Sequence, residues 1–360
     1  MLNQNRIAVI STGNGGQSMA AYFSHLGFDT SLYARESERV DMFPRDHIFT
    51  ISGIVEATAR VGMISHVMAD VIRDAELIMV TTPSQYHPIV AEQMASCLED
   101  GQIIILNPGR TFGTYVFQKT LKDHGCQAKV LLAEAETFVF ACRCARIARP
   151  CIYSIKEHVH VAAHNPDDTE KACQAMSRLF PDIIEMAPSV FDTGFSNLGM
   201  IFHPLPILLN ITRIEAQERF LYYKEGITPL VANILDRLDR ERIAVAKAYH
   251  VDVESAYDWL ESHYGSKGET LYERIQNTEA YASIYAPLDI DTRYIFEDIR
   301  TGCVPFFFAG ETVGVETPVI VSTILWASTI YETDFLQYGR NRALLDFDEL
   351  LRDAYALKRF

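Results

Sequence analysis

The sequence predicts an α/β domain built on a parallel sheet, followed by a mostly α-helical domain. Three observations predict this architecture. The chain opens with a strand, a glycine-containing turn, a helix and a second strand within its first 34 residues. Short apolar runs then alternate with helical segments as far as residue 188, and beyond residue 190 the apolar positions recur with a 3.6-residue period. We therefore expect two domains, residues 1–188 and residues 189–360.

The opening unit contains a predicted phosphate-binding turn. Residues 6–10 form an apolar strand, an amphipathic helix follows the turn, and residues 30–34 form the second strand. This order and spacing are typical of the dinucleotide-binding Rossmann unit, in which the helix N-terminus faces the pyrophosphate. Ser11 occupies the first position of the G-x-G-x-x-G pattern, so the match is imperfect. The predicted cofactor-binding residues of the turn are Ser11, Gly13, Asn14, Gly15 and Gly16.

The end of the second strand indicates which nucleotide binds. An NAD site carries an acidic residue there, which accepts a hydrogen bond from the ribose 2′-hydroxyl. Arg35 stands at this point instead, and its guanidinium can pair with a 2′-phosphate, with Ser37 and Arg39 as further donors. The pattern favours NADPH. NADH remains an alternative coenzyme, because Glu36 instead of Arg35 would face the ribose if the end of the second strand were shifted by one residue.

The rest of the chain supplies further predicted elements. Apolar runs predict strands buried on both faces of the sheet, at residues 48–51, 77–81, 103–106 and 130–132. Two crossover helices and two closing strand regions complete this domain, at residues 90–97, 114–124, 151–163 and 183–186. The second domain is predicted to contain helices at residues 205–225, 228–248, 253–262, 269–277, 316–330 and 346–357.

Composition limits the class of protein. The chain has 360 residues, of which 48% are hydrophobic and 22% are charged, as in ordinary globular proteins. Its net charge of −15 disfavours nucleic acid and anionic membranes as partners. No apolar run is long enough to span a membrane, and the apolar strand at residues 7–10 is too short for a signal peptide, so we expect neither. The seven scattered cysteines suggest reduced thiols and a cytoplasmic enzyme.

Two loops follow predicted parallel strands and should lie at the ligand-binding edge of the sheet. Thr82 and Pro83 can line the nicotinamide ribose site, and His87 either faces a ligand or caps the next helix. Arg110 follows the next strand. It is either a partner for a carboxylate or phosphate, or a surface arginine.

Cysteine and histidine clusters do not predict a metal site. Cys142 and Cys144 lack a second cysteine pair at zinc-site spacing. His158 and His160 share one face of a strand, with His164 nearby, but no carboxylate or cysteine joins them at a known spacing. We therefore expect no bound metal.

The second domain contains a candidate acid/base pair. His203 lies in an apolar neighbourhood immediately before a predicted helix. Arg293 and Glu297 are four residues apart, which predicts a helical ion pair. Asp298 lies off that face, and a carboxylate of this kind can orient an imidazole and increase its basicity. The spacing alone does not show that Asp298 reaches His203.

Several segments together resemble the opine dehydrogenases, the octopine/nopaline dehydrogenase family, and most of all its bacterial carboxyethyl-norvaline type. The resemblance covers nearly the whole chain and rests on the order and spacing of residues 13–22, 107–110, 133–143, 197–204 and 293–299.

The resemblance implies a reaction, which is the reductive condensation of an α-keto acid with the amino group of an amino acid. It implies that His203 is the acid/base residue and that Asp298 is its carboxylate partner. It also implies small-molecule substrates and a homodimer. The substrate-binding residues that it implies are Arg293, Arg110, Thr137 and Asn197.

Two departures from the family pattern keep alternatives open. Ser11 replaces a glycine, and Gly199 stands where a second asparagine is expected. One alternative is a ketone or keto-acid reductase of the ketopantoate reductase or glycerol-3-phosphate dehydrogenase kind. Such an enzyme would need a catalytic lysine, for which Lys224 is a candidate. The other alternative is a non-catalytic NADPH-binding sensor.

Overall fold

The computed structural model describes residues 2–357 and divides into two compact units. The first unit ends at Thr193 and the second begins at Gly194. The first is an α/β unit and the second is almost entirely helical, so the predicted fold class is confirmed.

The first unit contains twelve strands in the described residues. They are β1 (Asn3–Ile10), β2 (Asp29–Tyr33), β3 (Ile48–Gly53), β4 (Ala57–Arg60), β5 (Met63–Ser65), β6 (Ala75–Val80), β7 (Ile103–Leu106), β8 (Leu131–Ala135), β9 (Phe140–Arg146), β10 (Arg149–Ile155), β11 (Val159–Ala163) and β12 (Ile184–Met186). The helices are α1 (Asn14–His25), α2 (Ser37–Asp41), α3 (Met68–Ile72), α4 (His87–Met94), α5 (Gly113–Asp123) and α6 (Thr169–Ser177), with short 3₁₀ turns at Ser84–Tyr86 and Pro166–Asp168.

Eight strands form one twisted sheet in the order β12-β11-β8-β7-β6-β1-β2-β5. The strands from β8 to β5 pair in parallel, whereas β11 runs antiparallel to β8. Val9 in β1 lies opposite Leu32 on one side and Met79 on the other. Helices cover both faces, and the central strands are accordingly apolar on both faces.

The prediction that residues 48–51 belong to this sheet is wrong. They form part of β3 in a separate sheet of order β4-β3-β10-β9, which packs against α1. Only alternate residues of β3 are buried: Phe49 and Ile51 face the core, while Ile48 is 41% exposed. The apolar run at residues 48–51 therefore belongs to a strand that is buried on one face only. Residues 151–163 are likewise divided, because β10 joins the second sheet and only β11 extends the first.

The helices of the remaining chain are α7 (Val190–Phe195), α8 (Gly199–Phe202), α9 (Pro204–Leu209), α10 (Ile211–Glu215), α11 (Pro229–Ala248), α12 (Ala256–Tyr264), α13 (Leu271–Asn277), α14 (Arg293–Phe296), α15 (Val304–Val313), α16 (Pro318–Ile330), α17 (Phe335–Tyr338) and α18 (Phe347–Leu357). A 3₁₀ turn lies at Glu279–Tyr281 and a π-helical turn at Ile299–Cys303.

The single helix predicted over residues 205–225 is also wrong. Helix α9 ends at Leu209, where the Asn210 amide donates to the carbonyls of Pro206 and Gly226. Gln217 then adopts a positive φ of 56° that no α-helix continues through. Residues 218–228 are irregular, although their tyrosines are buried.

Within residues 2–357, no helix is long and apolar enough to cross a membrane. The seven cysteines all lie among the described residues, and none of them is joined in a disulfide there.

Candidate active site

The turn between β1 and α1 has the backbone of a dinucleotide-binding turn. Ser11 has a φ of 141°, a conformation that favours glycine, and its hydroxyl accepts a hydrogen bond from the Gly13 N–H at 3.0 Å. At Gly16, a Cβ atom would lie 1.8 Å from the Ser11 carbonyl oxygen, so no other residue fits there. The serine therefore keeps the glycine geometry, and the N-terminus of α1 is available to a phosphate.

The second sheet of this unit supports the turn. The Asn14 side-chain oxygen accepts from the Cys144 N–H at 2.9 Å, and the Gln17 side-chain oxygen accepts from the Ala148 N–H at 2.9 Å. The Phe138 ring covers Gly15, where a Cβ would lie 2.6 Å from the ring. Sequence reasoning missed this support, because β9, which supplies Cys144, was not predicted, and Phe138 and Ala148 flank that strand.

The basic residues after β2 do not all approach the turn. Arg35 pairs with Glu36 at 2.7 Å, and both side chains are exposed. The Ser37 hydroxyl donates to Glu38 at 3.2 Å. Arg39 instead donates to the Thr12 carbonyl at 3.2 Å and to the Thr12 hydroxyl at 3.3 Å. The structure thus places Arg39, rather than Arg35, against the turn between β1 and α1.

Polar atoms at the carboxyl ends of β6 and β7 fit a bound nicotinamide nucleotide. The Thr82 hydroxyl and both polar atoms of the Asn107 side chain are buried and have no hydrogen-bond partner within residues 2–357. A ribose and a carboxamide are ligands that could satisfy such groups. Pro83 precedes the 3₁₀ turn next to Thr82.

His87 is fully buried and packs edge-on against Phe117, which favours a structural role for it.

The loop after β7 is built around a buried carboxylate. Glu134 accepts from the Thr114 N–H at 3.0 Å and from the Thr193 hydroxyl at 2.8 Å. A Cβ at Gly109 would lie 2.4 Å from this carboxyl group. Arg110 follows with a φ of 60°, and Thr137 is half-buried two residues beyond the end of β8. Both predicted substrate-binding residues therefore lie at the carboxyl edge of the sheet.

In the second unit, His203 and Asp298 lie together despite their 95-residue separation in the sequence. The His203 Nδ1 atom is 2.8 Å from the Asp298 carboxylate, which is fully buried. The Tyr222 hydroxyl donates to the carbonyls of Phe202 and His203, and so holds the backbone at this point. The Tyr294 ring stacks on the imidazole, with centroids 4.0 Å apart and planes inclined by 6°. Sequence reasoning did not assign a role to Tyr294.

Arg293 forms the predicted ion pair with Glu297, at 3.5 Å. The Arg293 side chain is 54% exposed, whereas that of Glu297 is nearly buried. The pair therefore leaves part of the guanidinium accessible to a substrate carboxylate.

Asn197 is buried next to the π-helical turn that follows Asp298. Its amide nitrogen would lie 3.2 Å from a Cβ at Gly302, so the glycine makes room for this side chain. Gly199 begins α8.

The ammonium of Lys224 donates to three carbonyls at the C-terminal end of α13, those of Ile275, Gln276 and Thr278. Lys224 is therefore a helix-capping residue, and its candidacy as an acid/base is not supported.

No group of three or more potential metal ligands occurs in the described part of the chain. His158 lies 2.6 Å from Glu185, and His160 lies 3.0 Å from Glu136 and 3.3 Å from Glu185. Both histidine side chains contact carboxylates. A hydrogen bond to Glu136 raises the pKa of His160, against the opposing effect of burial.

Comparisons with known proteins identify the family to which the chain belongs. Residues 186–331 match the family described as "NAD/NADP octopine/nopaline dehydrogenase, alpha-helical domain", and residues 6–111 match "NAD-dependent glycerol-3-phosphate dehydrogenase N-terminus". An opine dehydrogenase from Arthrobacter sp. (strain 1C) is 33% identical over 94% of each chain. The chain belongs to the opine dehydrogenase family. The resemblance inferred from the sequence is thereby confirmed, and the chain is an NAD(P)-dependent oxidoreductase.

More distant relatives match part of the sequence, and solved structures share the fold. Vitopine synthase from Allorhizobium ampelinum is 25% identical, covering 76% of this chain and 75% of its own. An octopine dehydrogenase solved with NADH and L-arginine has a TM-score of 0.81 at 19% identity, over 97% of this chain and 98% of its own. A ketopantoate reductase from Ralstonia eutropha JMP134 shares the fold at a TM-score of 0.63 and 12% identity, over 91% and 98% of the two chains.

Proposed function

We propose that this opine dehydrogenase condenses an α-keto acid with the amino group of an amino acid and reduces the product to an N-carboxyalkyl amino acid. The observation that carries the proposal is the His203–Asp298 pair, a buried carboxylate bonded to a histidine that is 15% exposed. Such a pair is suited to proton transfer, because the carboxylate fixes the imidazole and stabilises its charged form.

In the proposed reaction, the amine and the keto group lose one water molecule and form an imine. His203 accepts a proton from the incoming ammonium group and returns one to the imine nitrogen. Arg293 binds a substrate carboxylate, while Arg110 and Thr137 bind the keto acid and Asn197 donates to a substrate oxygen. NADPH, when bound, supplies the hydride that reduces the imine carbon, and the product is a secondary amine carrying two carboxylates.

We propose NADPH as the preferred coenzyme. Arg39 supports this preference, because it is held beside the glycine turn by Thr12, and Arg35 adds a second positive charge at the end of β2. A 2′-phosphate would find a guanidinium there. Glu36 and Glu38 oppose the preference through their negative charge, so the affinity difference between NADPH and NADH needs to be measured directly.

We also propose that the enzyme is a homodimer in which α16 contributes to the interface. This helix contains no charged residue, and Leu325 and Trp326 on its outer side are 53% and 55% exposed. An uncharged face is where two chains, each with a net charge of −15, can meet with least repulsion. Light scattering on the wild type and on Trp326→Glu tests this, and a wild-type monomer would contradict it.

The decisive experiment is a screen for NADPH oxidation with pyruvate, glyoxylate and 2-oxoglutarate, each with and without a panel of amino acids. Oxidation that needs both a keto acid and an amino acid would support the proposal and identify the substrates. Oxidation with a keto acid alone would indicate a simple carbonyl reductase. Tight NADPH binding without oxidation of any pair would indicate a sensor.

A further inference from the structure

The phenol ring of Tyr294 covers one face of the His203 imidazole. The two ring centroids lie 4.0 Å apart and the ring planes are inclined by only 6°, so the rings are stacked in parallel. Tyr294 is itself half-buried. The proposed reaction assigns proton transfer to His203 and its carboxylate partner Asp298, but it gives Tyr294 no role.

Helical spacing explains why Tyr294 and Asp298 reach the same histidine. They are four residues apart in a helical stretch that begins with α14 and leads into the π-helical turn, so their side chains lie on one side of it. Asp298 meets the edge of the His203 imidazole at Nδ1, at 2.8 Å, and Tyr294 meets its face. Arg293 and Glu297 have the same spacing and form a separate ion pair.

Contacts with two other residues hold the Tyr294 ring in place. The Thr292 hydroxyl accepts a hydrogen bond from the Tyr294 N–H at 3.4 Å and caps α14. The Tyr222 ring packs against the Tyr294 ring, with centroids 5.5 Å apart and planes inclined by 50°. The Tyr222 hydroxyl also donates to the His203 carbonyl at 2.9 Å. Tyr222 therefore supports the histidine backbone and the stacked ring together.

A single hydrogen bond at Nδ1 does not fix the plane of an imidazole. The ring can tilt about the bonded atom, and the tilt moves Nε2, the nitrogen on the far side of the ring. Because the His203 Nδ1 atom is bonded to Asp298, proton transfer must use Nε2, a step that rests on the proposed function. An error of about 1 Å in the position of a reacting group can cost about 10²-fold in rate. A parallel ring with its centroid 4.0 Å away prevents a tilt toward it.

The stack also acts on the charge of the imidazole. The face of an aromatic ring carries a negative potential and attracts a cation placed over it. The imidazolium that forms when His203 accepts a proton is therefore stabilised by Tyr294 at its face and by Asp298 at its edge. The Arg293 guanidinium lies 5.4 Å from the centre of the same phenol ring, and its positive charge opposes this effect.

We propose that Tyr294 is a positioning residue for the acid/base reaction, which holds the His203 imidazole in the plane that directs Nε2 to the substrate. Tyr294 acts through the face of its ring, and its hydroxyl is not required. A phenylalanine has the same stacking face, so it should replace Tyr294 in this role. An aliphatic residue lacks such a face and should not.

Two variants and one matched control test the role. Tyr294→Leu removes the ring and Tyr294→Phe keeps it. Tyr355→Leu is the control, because it also removes a tyrosine ring from a histidine: the Tyr355 ring on α18 lies 4.4 Å from the His250 ring, and neither residue belongs to the candidate active site. Thermal unfolding checks that each variant is folded, and Tyr294→Met takes the place of Tyr294→Leu if the latter does not fold.

The kinetic readout separates kcat from KM. We expect kcat to fall about tenfold in Tyr294→Leu, which equals about 1.4 kcal/mol and lies within the range for one aromatic pair. The KM values for both substrates should stay close to those of the wild type, because the stack does not bind substrate. Tyr294→Phe and Tyr355→Leu should keep the wild-type kcat.

A spectroscopic measurement tests the stack without turnover. Proton–carbon NMR spectra of labelled histidine rings, with His203 assigned through His203→Ala, report the stack directly, because an aromatic ring shields protons that lie over its face. We expect the His203 ring protons to be shifted upfield in the wild type, Tyr294→Phe and Tyr355→Leu, and to return toward ordinary histidine values in Tyr294→Leu. This result does not depend on finding a substrate pair, so it is separate from the test of the proposed function.

Four results would overturn the proposal. A wild-type kcat in Tyr294→Leu would show that the stack is not needed. Equal losses in Tyr294→Leu and Tyr294→Phe would assign the effect to the hydroxyl. A raised KM with unchanged kcat would indicate that Tyr294 contacts substrate instead. Ordinary chemical shifts for His203 in the wild type would show that the two rings do not stack in solution.

Discussion

Replacing Asp298 by asparagine tests the acid/base assignment most directly. The substitution keeps the size of the side chain and removes its negative charge. The Asp298 carboxylate is fully buried, and its oxygen lies 2.8 Å from the His203 Nδ1 atom. With charge centres about 4 Å apart, the attraction between a carboxylate and an imidazolium is about 4 kcal/mol at an effective dielectric constant of about 20.

This attraction sets the expected loss of activity. About 4 kcal/mol corresponds to nearly three powers of ten in rate, and an asparagine oxygen that keeps the hydrogen bond would reduce the loss. We therefore expect kcat to fall by about 10²–10⁴-fold in Asp298→Asn, and by a similar factor in His203→Ala.

The assay is NADPH oxidation with the substrate pair found in the screen. Asp236→Asn is the matched control, because Asp236 forms an ion pair with Arg240 on the surface of α11. Coenzyme affinity, measured by fluorescence titration, should be the same in all variants. A kcat within tenfold of the wild type in both Asp298→Asn and His203→Ala would refute the reasoning.

Three further predictions concern the first unit. Gly16→Ala should weaken NADPH binding at least about tenfold in a fluorescence titration, because its Cβ would lie 1.8 Å from the Ser11 carbonyl oxygen; unchanged affinity would show that the turn adjusts freely. Arg39→Met should weaken NADPH binding more than NADH binding, by about 1–2 kcal/mol in the difference, and equal losses would exclude contact with the 2′-phosphate. The raised pKa of His160 means that its ion pairs stabilise the fold below about pH 6.5 and that this contribution is lost as pH rises through the folded-state pKa. The melting temperature of His160→Gln should thus lie about 1–2 °C below that of the wild type at about pH 6, since solvent screens a partly exposed pair, and the gap should close at about pH 8.5; a gap that widens with pH would contradict this.

Local signals accounted for much of the fold. The strand, turn and helix around Gly16 follow from an apolar run, small residues at the turn and a helical period, all within about 25 consecutive residues. The long α11 and the uncharged α16 were predicted for the same reason, because the apolar positions of a helix recur along its own sequence.

The predictions of secondary structure were wrong where contacts with distant segments decide which sheet a strand joins or where a helix ends. Residues 48–51 have the composition of a buried strand, but pairing with β4 and β10 puts them in a second sheet. The apolar residues at 220–223 suit a helix, yet the Asn210 side chain and the positive φ of Gln217 end helical structure before them. Neither outcome is visible in a pattern of residue types.

The sequence by itself determined the fold class and the family of this protein, along with the residues His203 and Asp298 as candidates, because these depend on local periodicity and on the order of short motifs. Only the tertiary structure decided that His203 and Asp298 are bonded and that Arg39, rather than Arg35, approaches the turn between β1 and α1. These are properties of distance and desolvation between segments far apart in the chain, and no local pattern of residues encodes them.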